Sequence, residues 1–298
     1  MLWATLTVSS FSFWGLVAAS AKLSVYLTSF LAAGLVLFLV ALPIQHDKLR
    51  RSILWVAASA AVLCALASIW RVSVQAGRLM DDTAFMTDPE IIAIVLEGPL
   101  GFSTLARLIG LITLMIAIMV PSARQLGGLA GATAIAVSFA LTGHATRDPQ
   151  WALMALITIH ILAVSFWFGA LLPLYRLAGS NADHHEAARL SHRFGQLAAI
   201  IVPILIGVGA GFAYVLLGSP QAVLTTAYGQ MLLLKLAIVA AVLGIAALNK
   251  LRLVPALEAQ ATGADSRFRS SLRWEALVFV AIFAATALLT TSFTVPTS

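Results

Sequence analysis

The segment 151-WALMALITIHILAVSFWFGALLPLYR-176 decides the fold class of this chain. From Trp151 to Leu174 it contains no aspartate, glutamate, lysine or arginine. A helix of roughly 20 apolar residues crosses a bilayer, because each residue rises about 1.5 Å through about 30 Å of hydrocarbon. The segment is therefore predicted to be a transmembrane helix.

The rest of the chain has the same apolar character. Of its 298 residues, 61 % are hydrophobic and only 10 % are charged, with a mean hydropathy of +0.98. A soluble domain has about 25 % charged residues, so lipid must be the solvent of this chain. Backbone polar groups in lipid must be bonded within the segment, so each apolar run is predicted to be a helix. The predicted spans are 23–45, 53–72, 102–120, 126–144, 151–174, 196–217, 229–249 and 274–293.

These spans predict an all-α, polytopic integral membrane protein with eight transmembrane helices, in one membrane domain over residues 1–298. The long unbroken runs argue against a β-barrel, in which apolar and polar residues would alternate. The role of residues 1–22 is left open by the sequence, and an interfacial lead-in is one interpretation. A re-entrant piece, an extra span and a cleaved signal peptide with its site at Ala19-Ser20-Ala21 remain alternatives.

Basic residues in the loops predict the orientation. The loops after the even-numbered spans hold only Arg78 and Arg147. Cytoplasmic loops are enriched in Lys and Arg, so the odd loops are predicted to be cytoplasmic and both termini periplasmic. The net charge of +6 is thus assigned to membrane orientation, and no nucleic-acid partner is expected. The basic residues of the odd loops are Lys48, Arg50, Arg51, Arg124, Arg176, Arg189, Arg193, Lys250, Arg252, Arg267, Arg269 and Arg273.

The predicted external loop over residues 73–101 is acidic. Such a loop would attract cations through its local potential. The simpler interpretation, which we prefer, is a loop that is polar because water surrounds it. Its acidic residues are Asp81, Asp82, Asp88, Glu90 and Glu97.

Ionisable residues within the spans are costly and therefore point to function. His160 lies near the predicted midplane, and a neutral imidazole is a good ligand for copper, iron or zinc. An interhelical hydrogen bond is the alternative role. Trp167 shares its helix face. His144, at the predicted outer surface, lies roughly 13 Å from His160 in depth, so the two would be successive stations on a path rather than ligands of one ion.

Other side chains within the spans suit either a path or plain packing. Met154 and Met231 fall in the outer third of their spans, and thioethers are soft ligands for Cu(I). Lys235 and Arg107 are two cations within spans. With few acids predicted inside the membrane, a simple carboxylate proton relay is not favoured. No catalytic motif such as HExxH, GxSxG or a Walker A loop occurs, so the chain is not expected to be an enzyme.

Five stretches in order resemble the CopD family of bacterial inner-membrane copper proteins. They are LTGHA at 141–145, IH…WFGALLPL at 159–174, YGQMLLLK at 228–235, ALNKLRLVPAL at 247–257 and RWEALVFVAIFAATALLTT at 273–291.

The resemblance implies eight helices, CopD-like C-terminal helices over 190–293, and copper uptake across the inner membrane beside a periplasmic carrier of the CopC type. The positions that match the family pattern are His144, His160, Trp167, Lys235 and Asn249.

The leading hypothesis is a copper homeostasis protein that moves copper ions across the inner membrane through a histidine-containing path. His160 would be the central ligand, with His144 and Met231 near the outer entrance. One alternative is a membrane redox protein that binds b-type haem or quinone. Another is a copper-binding receptor or assembly partner that does not transport.

Overall fold

The computed structural model describes residues 12–142, 150–179, 184–217 and 227–292, and every structural statement below concerns these residues. They are helical almost throughout and contain no β-strand, which confirms the predicted all-α class. A 3₁₀ helix over Thr83–Thr87 and a π-helical turn over Asn249–Leu253 interrupt the α-helices. The main helices are α1 (Phe13–Ala41), α2 (Asp47–Met80), α3 (Pro89–Glu97), α4 (Pro99–Met119), α5 (Arg124–Ala140), α6 (Gln150–Ala178), α7 (His184–Leu217), α8 (Ala227–Leu248), α9 (Val254–Glu258) and α10 (Ala264–Ser292).

Seven helical segments in the described ranges are long and apolar enough to cross a membrane. They correspond to α1, α2, α4, α6, α7, α8 with its C-terminal extension, and α10. Helix α5 occupies the position of the remaining predicted span, but it has 17 residues and a length of about 25 Å. The protein is thus a multi-helix membrane protein, and the count of eight spans stays a prediction.

The first helix begins earlier than the sequence predicts. Ser12 caps α1, because its Oγ accepts a hydrogen bond from the backbone N–H of Gly15 at 3.0 Å. Residues 13–22 therefore belong to α1, while residues 1–11 lie outside the described part, and the interfacial lead-in stays a prediction. Lys22 lies within this helix, and its Nζ donates to the carbonyl and hydroxyl oxygens of Thr290 in α10, at 3.0 and 2.9 Å.

The predicted loop 73–101 is largely helical, which corrects the sequence interpretation. Helix α2 continues to Met80, and the 3₁₀ helix and α3 follow after short connections. The Asp82 carboxylate accepts a hydrogen bond from the N–H of Ala84 at 2.9 Å, and Asp88 accepts one from Glu90 at 2.9 Å. These two acids cap helices, as aspartate commonly does, so their presence needs no cation-gathering role.

Helix α1 lies at the centre of the bundle and packs against α2, α5, α6 and α10. Its backbone meets that of α6 where Gly34 faces Gly169: a Cβ at Gly34 would overlap the carbonyl of Ser165, and one at Gly169 would overlap the backbone of Gly34. Small residues allow membrane helices to approach this closely. The crossing fixes the position of α6, and with it the side chains that α6 carries.

Helices α7 and α8 lie at the edge of the bundle. Helix α7 packs against α6 and α9, and α8 packs mainly against α10. A Cβ added at Gly207, Gly209 or Gly211 of α7, or at Gly244 of α8, would meet no atom within 4 Å. Much of the surface of these two helices is therefore left open to the surrounding membrane.

Candidate functional site

Three helical segments bring polar side chains together around Glu275 of α10, which is 2 % exposed. One carboxyl oxygen, Oε1, accepts a hydrogen bond from the indole Nε1 of Trp167 in α6 at 2.6 Å. The other oxygen, Oε2, accepts one from the side-chain Nδ2 of Asn249 at 2.7 Å. Trp167 and Asn249 are also buried, so these three side chains form an enclosed polar site, named here the Glu275 cluster.

Local structure explains the position of each donor. Asn249 is the first residue of the π-helical turn that ends α8, and the chain then continues through Pro255 in α9. Proline lacks the N–H that would continue regular α-helical bonding, and π-helical turns are common at functional sites. The Trp167 ring meets Phe279 edge-on, with centroids 5.7 Å apart. Because Phe279 lies one turn beyond Glu275 on α10, this contact holds the indole beside the carboxyl group.

The Glu275 cluster contains no balancing cation. The ion pairs in the described ranges join Arg50 with Asp47, Arg189 with Glu186, and His192 with Glu258. A carboxylate within a membrane helix is costly unless something compensates its charge. The Oδ1 atom of Asn249 is also buried and has no hydrogen-bond partner. The cluster therefore contains one buried acceptor atom without a hydrogen bond, Oδ1 of Asn249, and a carboxyl group without a counter-ion.

His160 and Lys235 lie on the same sides of their helices as the Glu275 cluster. His160 precedes Trp167 by seven residues, so it lies on the same face of α6 and about 10 Å away along the axis. Lys235 precedes Asn249 on a similar face of α8, about 21 Å away. Helix α10 packs against both α6 and α8. Polar side chains therefore follow one another in depth between α6, α8 and α10, an arrangement named here the polar column.

The structure gives less support for metal binding by the methionines and His144 than for the arrangement around Glu275. Met154 packs against the buried cluster of Ala140 and Leu153, and it lies about 120° around α6 from His160. Met231 belongs to α8, but its side chain and the whole of His144 lie outside the described residues. In the described ranges, no group of three or more His, Cys, Asp or Glu side chains could hold a metal ion. Metal binding by His144, His160, Met154 and Met231 therefore stays a prediction.

Arg107 belongs to a separate part of the bundle. Its guanidinium is fully buried in α4, donating to the Ser68 hydroxyl at 3.4 Å and to the Ser103 hydroxyl at 3.1 Å. It also lies over the Phe139 ring, 4.7 Å from the centroid. These contacts join α2, α4 and α5, so Arg107 is a structural centre of the N-terminal half.

The sequence does not single out Glu275 as a candidate site residue. The predicted span began at residue 274, which put Glu275 at a membrane surface, where an acid is unremarkable. Helix α10 begins at Ala264, so Glu275 lies about three turns inside it. An acid at the start of an apolar run, inside one of the stretches with a family resemblance, was the signal available.

Comparison with known proteins gives two family matches. Residues 11–152 match the family described as copper resistance protein D-like, N-terminal domain, and residues 188–289 match the family described as copper resistance protein D. The inner membrane protein YebZ of Escherichia coli (strain K12) is 29 % identical over 202 residues, which cover 66 % of this chain and 69 % of YebZ. No solved structure matches the chain. Asn249 and Glu275 lie in the second matched region, and Trp167 lies between the two.

Proposed function

Because the chain belongs to the copper resistance protein D family, we propose that it carries copper ions across the bacterial inner membrane along the polar column between α6, α8 and α10. The family and the inner-membrane relative make this a multi-pass inner-membrane protein with a copper-related role. Copper is the cargo in this proposal, and the surrounding lipid is its other partner. No catalytic role is proposed.

The observation that carries the proposal is the position of His160. Its imidazole lies inside a membrane helix, about 10 Å from the Glu275 cluster and on the same helix face. Neutral imidazole is a good copper ligand, and ionisable residues within membrane spans mark ion pathways. The absence of a preformed cluster among the described residues is compatible with transport, since a conducted ion must bind weakly enough to leave.

The outer part of the path is proposed from the sequence. His144 and Met231 would receive copper near the periplasmic entrance, and Met154 is a further soft donor on the same side. Copper would pass inward from there to His160. A periplasmic carrier of the CopC type is proposed as the source of the ion.

Copper uptake by proteoliposomes tests the central role of His160. We expect His160→Ala to reduce Cu(I) uptake to nearly the rate of protein-free vesicles, because the ion loses its one imidazole ligand within the column. His192→Ala is the matched control, since that histidine is exposed on α7 and pairs with Glu258. Wild-type uptake by His160→Ala would refute the path through this residue.

The two alternatives give different results in the same preparation. A b-type haem needs a second axial ligand at a similar depth, and the described spans place no other histidine near the depth of His160. A Soret band in the purified protein would nevertheless favour the redox alternative. A receptor would bind Cu(I) without accumulating it in vesicles.

A further inference from the structure

We propose that Glu275 binds and releases a proton during the transport cycle, while Asn249 turns its side-chain amide to hydrogen-bond with each protonation state. The inference rests on the proposed copper transport. Proton binding by Glu275 can still be measured on protein that is not transporting, so the two proposals can fail separately.

The first argument is the isolation of the carboxyl group. Glu275 lies well inside α10 and is 2 % exposed, and its two hydrogen bonds come from the neutral side chains of Trp167 and Asn249. Ionised in these surroundings, Glu275 would be an uncompensated charge in a medium of low dielectric constant. A bound proton removes that cost. The ionised state is stabilised when a mobile cation is nearby.

Among the described residues, no charged group on the elements around Glu275 forms an ion pair with it. The Arg269 guanidinium donates to the Tyr175 hydroxyl at 3.0 Å, and Glu258 pairs with His192. The Lys250 side chain extends toward Gly195 of α7. Lys22 of α1 bonds to Thr290 at the far end of α10. The other ionisable groups on these elements, none of them in an ion pair with Glu275, are His160, Arg176, Lys235, Arg252, Asp265, Arg267 and Arg273.

The second argument is the unpaired oxygen of Asn249. The indole N–H of Trp167 is a donor only, so Oε1 of Glu275 remains an acceptor in both states. Asn249 has a donor and an acceptor on one amide group, and its Oδ1 lacks a partner while its Nδ2 bonds to Oε2. When Oε2 carries a proton, rotation of the amide lets the new O–H donate to Oδ1. The same heavy-atom positions therefore suit both protonation states.

The oxygen donors fit a proton better than a metal cation. The cluster offers two carboxyl oxygens and one amide oxygen, and Oε1 is already occupied by Trp167. Calcium takes six to eight oxygen ligands and magnesium needs six, whereas Cu(I) favours soft sulfur donors and imidazole. A proton needs only Oε2 and one acceptor beside it. Water that enters the cluster during the transport cycle accepts the proton from Oε2, and the carboxylate left behind attracts the copper ion as it moves along the column.

Carbodiimide labelling tests proton binding directly. Dicyclohexylcarbodiimide modifies protonated carboxyl groups in apolar surroundings, and mass spectrometry of the purified full-length protein locates the adduct. We expect labelling of Glu275 at acidic pH, a progressive loss as the pH is raised, and no adduct at position 275 in Glu275→Gln. Glu258→Gln is the control and keeps the labelling at Glu275. Absent labelling, or labelling that does not change with pH, would overturn the proposal.

Copper uptake gives the second measurement. In Glu275→Gln the side chain can accept from Trp167 and donate to Oδ1 of Asn249, so the fold is expected to persist. We expect its Cu(I) uptake to fall to the level of protein-free vesicles, while Glu275→Asp retains part of the rate. If Glu275→Gln takes up Cu(I) with the wild-type rate and pH dependence, proton binding by Glu275 is not coupled to copper transport. The wild type could fail to transport copper while Glu275 still reacts with the carbodiimide in a pH-dependent way. That result would refute the proposed transport function and support proton binding by Glu275.

Discussion

Trp167 and Asn249 each donate one N–H to a different oxygen of Glu275, and they reach it from two helical segments. A buried acceptor that loses its donor costs about 1–3 kcal/mol, because water cannot replace the missing bond. The two donors therefore contribute to stability as well as to the proposed proton chemistry, and single substitutions can separate the two contributions.

We expect Trp167→Phe to lower the free energy of unfolding by about 1–3 kcal/mol, since it removes the donor to Oε1 and keeps an aromatic ring against Phe279. Unfolding by titration with a denaturing detergent measures the change. Trp151→Phe is the matched control, because Trp151 is 79 % exposed at the start of α6. Equal stability of the two variants would show that the indole N–H contributes nothing.

At the scale of helices, glycines separate the tightly packed part of the bundle from its edge. Gly34 and Gly169 lie where α1 and α6 touch backbone to backbone, and Gly110 and Gly131 allow a similar approach of α4 and α5. The glycines in the outer half of α7 have open space around them. The same residue type thus has opposite tolerance to substitution in different helices.

Gly169→Ala should be strongly destabilising, because the added methyl group would overlap the backbone of Gly34 and push α1 away from α6. We expect a loss of about 3 kcal/mol, the upper part of the usual range for overpacking. Gly207→Ala adds the same methyl group where no atom lies within 4 Å, so it should fold normally. Size-exclusion chromatography and detergent unfolding compare the two, and similar losses would contradict the close crossing.

The sequence predicts helices well where the membrane alone determines their length. The predicted spans 102–120 and 151–174 agree closely with α4 and α6, because an apolar run of bilayer length specifies both the type and the extent of the helix. The extension of α2 to Met80 was missed. The 3₁₀ helix and α3 were also missed, since Asp82 and Asp88 cap their N-termini after the apolar run ends.

The candidate site was only partly predictable for a related reason. Resemblance to a family singled out Trp167 and Asn249, but it gave no partner for either. Glu275 lies 108 residues from Trp167 and 26 from Asn249, so their meeting depends on how three helical segments pack. Hydrophobic patterning specifies which segments enter the membrane and leaves their neighbours in the bundle undetermined.

For the molecule as a whole, the distribution of basic residues predicts that both termini face the periplasm. Cys64 is the single cysteine of the chain and is fully buried, so Cys64→Ala provides a background for labelling introduced cysteines. Glu90 and Lys48 are exposed at opposite predicted sides of the membrane. They can therefore report the orientation of the bundle independently of any transport measurement.

In intact spheroplasts, we expect a membrane-impermeant maleimide to label Glu90→Cys at once and Lys48→Cys only after permeabilisation. The physical reason is the excess of Lys and Arg near Lys48, which favours retention of that loop in the cytoplasm. The opposite labelling pattern would invert the whole topology, and with it the proposed direction of copper entry.

The bonds from Lys22 and Arg78 to the end of α10 have a consequence for biosynthesis. Lys22 pairs with Thr290, 268 residues later, and Arg78 donates to the carbonyl of Thr291 at 3.4 Å. Helix α1 is translated before α10 and occupies the centre, so its lysine lacks this partner until α10 has been synthesised. A prematurely terminated chain that lacks α10 leaves two cations unpaired at the membrane. The bundle therefore reaches its full stability only when α10 has been synthesised. Truncated products that lack α10 should be the preferred substrates of membrane proteases.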